Sequence, residues 1–287
     1  MKDIGVAQLP EVVLAARLYH LAFTHRSLVA TGQCALWAHG FASDPNPPPI
    51  TVSASSHLRA ISLPSVTIGS HVFSPVTVKP LQVHRLPDVC DARGLLIESF
   101  QSAQITAARM SRSPRTAFIQ MCMNGHVYTR FDNFRMKASR DNEEAWKFLL
   151  ERELKQLGNR ARGRAQVQWI MTHADAGCAS PGEARLLYEL CAAGLTDART
   201  QVEVHTHGHR YFIDCAFPAK RVGIEFDGRA KYGDNPRSIH TSLARERERQ
   251  RHLEAEGWHI IRVGWHDLER PCELIAQIRA ALTARLG

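Results

Sequence analysis

Three acidic residues in one short stretch carry the clearest chemical signal of the chain. Residues 211–228 read YFIDCAFPAKRVGIEFDG, two short strands joined by a turn at Pro218–Arg221. Asp214 lies in the first strand, Glu225 and Asp227 in the second. With the turn centred between Ala219 and Lys220, cross-strand partners have positions that sum to 439, so Asp214 faces Glu225. Opposed side chains sit with Cβ atoms roughly 4.5–5.5 Å apart, and like charges there destabilise. A divalent cation relieves that repulsion, because Mg²⁺ (or Mn²⁺) takes one or two carboxylates and keeps several waters. A cation so held is a Lewis acid and lowers the pKa of its water. Phosphodiester hydrolysis also needs a positive group against the charged phosphate, and Lys231 or Arg249 is placed to supply it.

Each residue has a plainer reading beside this one. Asp214 and Glu225 can be acids on a solvated face, although strands disfavour Asp. Glu183 is fully explained as the third residue of a capping box that starts at Ser180. Asp227-Gly228 can be turn chemistry, and Lys231 a solvated lysine. Residues 244–252, ARERERQRH, place Arg245, Arg247, Arg249 and Arg251 among Glu246 and Glu248. They read either as a solvated helix laced by ion pairs or as a face for nucleic-acid phosphates. His205, His207 and His209 alternate, but His207-Gly208-His209 reads as a turn, and no further ligand completes a zinc set. Trp258 and Trp265 read as core.

The elements that hold these residues follow from local signals. Ser180-Pro181-Gly182-Glu183 starts a helix that Gly194 ends. Strands are expected near 201–206, 210–217 and 222–227. A polar helix over 242–256 closes at Gly257, and a strand over 258–263 and a helix over 271–285 follow. This order predicts a mixed sheet flanked by helices, an α/β fold. Upstream, residues 11–39 read as helical and clustered prolines at 43–49 as a loop. Short β runs lie between 50 and 86. Helices are expected over 94–128 and 143–157. The Arg- and Gly-rich segment 158–166 suggests a boundary near 158–180, between an N-terminal α+β region (1–165) and a C-terminal domain (178–287).

The 287 residues carry a net charge of +8, and a basic balance favours a polyanionic partner, nucleic acid first. No run approaches ~18 apolar residues, so no membrane span is expected. The amino terminus lacks the pattern of a signal peptide. The seven cysteines are scattered without a CxxC pair, which points to free thiols in a reducing cytoplasm.

Residues 183–283 resemble the PD-(D/E)XK nuclease superfamily, specifically restriction-endonuclease-like domains related to very-short-patch-repair (Vsr-like) endonucleases. The helix bearing Glu183, the IDCAFP and IEFDG strands, the basic helix ending in LEAEGW and the strand HIIRV carry this resemblance. It implies a Mg²⁺-dependent DNA endonuclease acting on duplex DNA, in repair or in defence against mobile elements. By the resemblance, Asp214, Glu225 and Glu183 would hold the metal and Asp214, Glu225, Asp227 and Lys231 would form the catalytic set. Arg245, Arg249 and Lys231 would meet the nucleic acid. Asp227 stands where many members carry the catalytic lysine. That departure supports an alternative, a catalytically inactive DNA-binding regulator or antitoxin-type protein. A ribonuclease toxin is a third reading. Residues 14–128, with SLVATGQCALWAHGF, weakly resemble the AbiEi-like abortive-infection antitoxin family, which leaves the role of that region open.

Overall fold

A computed structural model describes residues 6–41, 47–83, 88–92, 94–228 and 236–285. Two compact units share the chain. One comprises the residues up to Pro114 together with Lys147–Trp169, the other Arg115–Trp146 together with Ile170 onward. The last crossing falls inside the span where the sequence suggests a boundary. The exchange of residues 115–146 into the C-terminal unit leaves no compositional mark.

In the first unit the order is α1 (Leu9–Thr24), β1 (Val29–Ala30), α2 (Gln33–Ala38), β2 (Val52–Ala54), β3 (Ile61–Leu63), β4 (Val66–Ile68), β5 (His71–Phe73), β6 (Val76–Val78), β7 (Leu81–Gln82), β8 (Val89–Ala92), β9 (Leu95–Glu98) and α3 (Phe100–Met110). Five strands form a sheet in the order β7-β2-β1-β9-β8, and β3–β6 and β4–β5 form ribbons. Two expected helices are therefore interrupted. Val29 and Ala30 are fully buried between β2 and β9, with Ala30 opposite Ile97. Short apolar runs do not distinguish a buried strand from a helix by period, and sheet pairing decides both places.

Helices α4 (Pro114–Thr129), α5 (Met136–Gln156) and α6 (Arg164–His173) follow. The second unit then runs α7 (Pro181–Ala192), β10 (Arg199–Thr206), β11 (His209–Phe217), β12 (Val222–Phe226), α8 (Pro236–Ala255), β13 (His259–Val263), α9 (Trp265–Leu268) and α10 (Pro271–Ala284). The chain is a mixed α/β protein. The four-stranded sheet has the order β10-β11-β12-β13. β11 is antiparallel to both neighbours, whereas β12 and β13 are parallel. A parallel pair needs a crossover, and α8 is that crossover. Its Leu253 is fully buried with Val204, Ile213, Ala216 and Trp258.

Local chemistry sets these elements. The Ser180 side chain accepts the N–H of Glu183 at the start of α7. Gly182 has no room for a side chain, since a Cβ there would lie 2.0 Å from the Phe226 ring. The first turn of α7 thus presses on the end of β12. His207 (φ 48°) and Gly208 (φ 76°) form the β10–β11 turn, with the positive angles that two-residue hairpins require. Among the described residues, no helix is long and apolar enough to cross a membrane.

A buried ion network inside the second unit joins α5 to the start of the sheet. Arg140 Nη1 donates to Glu143 and, at 2.8 Å, to Asp175 Oδ1; its Nη2 donates to Thr200 Oγ1 at 2.9 Å. Glu143 accepts the Ala176 N–H at 3.1 Å. Burial alone would raise the pKa of Asp175, but Arg140 and its hydrogen bonds outweigh burial and hold it below the usual range. Arg140→Leu leaves two carboxylates without their cation. Breaking a buried pair from one side costs about 3–5 kcal/mol. The urea midpoint of the full chain should fall accordingly, with the m-value unchanged.

Candidate nucleic-acid interface

The β11–β12 hairpin forms in the expected register. Cys215 pairs with Ile224, Ala216 with Gly223 and Phe217 with Val222, so partners sum to 439. A 3-10 turn over Pro218–Lys220 and a left-handed Arg221 (φ 48°) connect the strands. The ladder stops one step short of Asp214 and Glu225. There the Asp214 carboxylate takes the place of a backbone acceptor, and its Oδ2 receives the Phe226 N–H at 2.9 Å.

Glu225 is 5% exposed and its charge is balanced by arginines. Arg249 Nη1 donates to Glu225 Oε2 at 2.6 Å, and Arg249 Nη2 makes a direct ion-pair contact with Oε1 that lacks hydrogen-bond geometry. Such two-armed pairing fixes geometry as well as adding energy. Arg262, the register partner of Glu225 on β13, lies 3.5 Å from Oε2. Glu246 bridges the two cations, 3.3 Å from Arg249 and in direct contact with Arg262. Burial would raise the pKa of Glu246, but Arg262 and Arg249 pull it below the carboxylate range. Arg249 Nη2 also donates to the Phe212 carbonyl at 2.8 Å. Two acids and two arginines thus form a closed, charge-balanced set.

Glu183 is held at its own helix end. Its Oε1 accepts from Ser180 Oγ at 2.8 Å, and its Oε2 accepts from the Ala179 N–H at 2.9 Å and from Gln201 at 3.3 Å. Asp214 is the acid left with least compensation. Burial first, then the negative charge of Glu183, push its pKa up to about 7; the Phe226 N–H and Arg249 act against this and Glu225 reinforces it. Asp227 follows β12, where its N–H donates to the Val263 carbonyl at 2.8 Å. Lys231 lies outside the described residues.

The structure thus gathers Asp214, Glu183 and Glu225 within electrostatic reach, with Arg249 among them. Among the described residues, no group of three His, Cys, Asp or Glu side chains is arranged to hold a metal ion. Arg249 engages Glu225 and the start of α7 engages Glu183, whereas Asp214 receives a single backbone N–H. Arg249, expected to face a phosphate, is turned inward, whereas Arg245, Arg247 and Arg251 on the same helix are exposed. Trp258 is core, but Trp265 is not: it is 47% exposed and sets its ring edge-on to Phe226 at 5.0 Å. His207 stacks on His252 at 4.3 Å and His205 pairs with Glu203. Arg262 was legible in principle, since laying HIIRV parallel to VGIEF sets it beside Glu225. Arg140 and Gln201 carry no such signal.

Residues 224–271 match the model of the RAP domain. The match starts in β12, covers α8, β13 and α9, and ends at the first residue of α10. The RAP domain is a nucleic-acid-binding domain, and a nucleic-acid-binding role is compatible with this part of the chain. It spans less than a fifth of the sequence. No curated protein and no solved structure matches the chain.

The raised pKa of Asp214 has a direction that can be measured. Unfolded, the carboxyl titrates in the ordinary aspartate range; folded, it titrates near 7. The native state therefore binds the proton more tightly, and stability from this group falls as pH rises from about 4 to about 7. Asp214→Asn keeps an acceptor for Phe226 and removes the charge. The variant should gain on the wild type as pH rises through that window, read as the difference in Tm between the two.

Proposed function

We propose that this protein binds nucleic acid through its C-terminal sheet and crossover helix, with phosphates following the exposed arginines of α8. The RAP match carries the reading, because it falls on the elements that present Arg245, Arg247 and Arg251. The net charge of +8 agrees with it. RNA is the first candidate and duplex DNA, implied by the nuclease resemblance, the second. The inward Arg249–Glu225 pair serves this function indirectly, by fixing the face that α8 turns to solvent. Binding of this kind is governed by counterion release. Replacing Arg245, Arg247 and Arg251 by Ala should weaken binding uniformly across sequences. It should also flatten the slope of log K against log salt by roughly 0.7–0.9 per lost phosphate contact. An unchanged slope in fluorescence anisotropy, on RNA and on duplex DNA alike, would remove α8 from the interface.

A second reading, metal-dependent hydrolysis of the bound strand, draws on one observation: Asp214 is a half-buried carboxyl pushed to about 7 beside Glu183 and Glu225. A carboxyl perturbed by burial and by neighbouring acids is a candidate functional group. With Asp227 in the position many nucleases give to lysine, the competing outcome is a binding protein without hydrolysis. Cleavage of labelled RNA or DNA in Mg²⁺ or Mn²⁺ by the wild type, lost in Asp214→Asn, supports the enzyme. No cleavage by either protein under conditions where strands are bound leaves the binding function standing alone.

A further inference from the structure

The second unit carries an exposed aromatic feature that the acid cluster does not use. Phe134 is 72% exposed. It sits in the short 3-10 turn Asn133–Arg135, which Asp132 caps by accepting the Phe134 N–H at 2.9 Å. Its ring meets that of Phe212, on β11, edge-on at 5.6 Å. The Arg210 guanidinium lies 5.7 Å from the Phe134 ring centre and 5.4 Å from that of Phe212. Glu203 orients it by accepting from Arg210 Nε at 2.6 Å. Phe134, Arg210 and Glu203 border an open groove of about 730 Å³, with Arg135, Lys137 and Asp141 on its rim, and Phe212 backs the Phe134 ring. Arg135, which also pairs with Asp132 at 3.9 Å, and Lys137 and Arg210 bring cations to this groove.

Leaving a phenyl ring in water forgoes the gain of burying it. Here the ring is held by a capped turn and flanked by cations rather than folded inward. Aromatic faces interleaved with Arg and Lys are the composition that binds unpaired bases, since every base has a π-face and every nucleotide a phosphate. In a duplex those base faces are taken by their neighbours. A hydrogen-bond relay links the Phe134 turn to the acid cluster. Asn133 donates to Gln201 at 2.6 Å, and Gln201 donates to Glu183. Phe212 precedes Asp214 by two residues on β11, a rise of about 7 Å.

We infer that the Phe134–Phe212–Arg210 groove is a stacking platform for an unpaired base of a single-stranded nucleic acid, with Arg135 and Lys137 meeting its phosphates. The inference rests on the nucleic-acid-binding function proposed above and adds its substrate class, a single strand. It also places contacts outside the RAP match, on the exchanged segment 115–146. A strand stacked here leads along β11 toward Asp214.

The test uses the full chain and short fluorescein-labelled single-stranded RNA, single-stranded DNA and the matching duplex, read by anisotropy. Phe134→Ala, Phe134→Leu and Phe134→Trp are compared, with thermal melts to confirm folding. The wild type should prefer a single strand to the duplex. Ala and Leu should each lower single-strand affinity roughly 5- to 100-fold, the loss expected for one stacked base, while Trp retains it. Wild-type affinity in both Ala and Leu, with binding otherwise intact, overturns the platform and leaves nucleic-acid binding in place. Loss in Ala but not in Leu also overturns it, because an aliphatic side chain then serves as well as a ring and the contact is not base stacking. A wild type that binds none of the three strands overturns the underlying function itself.

Discussion

The Arg249–Glu225 ion pair is the interaction on which the C-terminal unit turns. Glu225 sits in β12, between β11 and β13, with 5% of its surface exposed. An isolated carboxylate there would carry a large desolvation cost. Arg249 supplies two arms to it and a further bond to the Phe212 carbonyl. One side chain thereby ties the crossover helix to two adjacent strands. Hydrophobic burial by Leu253 and Trp258 drives α8 onto the sheet, but burial is not directional. The ion pair fixes which residues of the helix face inward. Replacing such a pair with apolar groups is often neutral, whereas removing one partner costs several kcal/mol. Its contribution is therefore register and rotation of α8.

Two ways of balancing a cluster of acids meet in this sheet. A cation satisfies several carboxylates through shared coordination. An arginine satisfies one or two through directed hydrogen bonds and excludes other ligands from the same oxygens. Glu225 and Glu246 are balanced the second way, by Arg249 and Arg262. Glu183 is balanced by the helix end it caps. Asp214 receives a single backbone N–H and retains the raised pKa that burial first, and then Glu183, impose.

How much of this was legible depends on the range of the interaction. The hairpin register was readable because a fixed turn centre determines every pair, and the Cys215–Ile224 pairing follows from it. The Ser180 cap was readable because its partner lies three residues away. The strands at Val29–Ala30 and Leu95–Glu98 were not, since they are strands by virtue of sheet partners, β2 and β8 as well as each other. The helical periodicity around them extends through both. Arg249 was singled out, but as a phosphate contact. Its sequence neighbours Glu246 and Glu248 gave no sign that Glu225, twenty-four residues away, would take both of its arms. Phe134 escaped notice for a related reason. Its neighbour Phe212 is distant in sequence, and nothing local to Phe134 marks the ring as exposed.

Placing Phe134 and Asp214 on the same unit gives the fold a functional logic that neither has alone. The RAP match ends at Pro271 and starts at Ile224, so it includes neither β11 nor the 115–146 segment. Yet β11 is the strand from which Phe212 backs the Phe134 ring, Asp214 meets the acid cluster, and the Phe212 carbonyl anchors Arg249. A change in how α8 seats on the sheet is therefore transmitted to β11 at the residue that supports Phe134. Helix, carboxylate and aromatic groove share one strand. In the function proposed above, the arginine face of α8 and the place where a base would stack are joined through β11. The connection runs through a hydrogen bond of 2.8 Å from a guanidinium to a backbone oxygen. Such a bond can be strained or released by small shifts of the helix without unfolding the sheet.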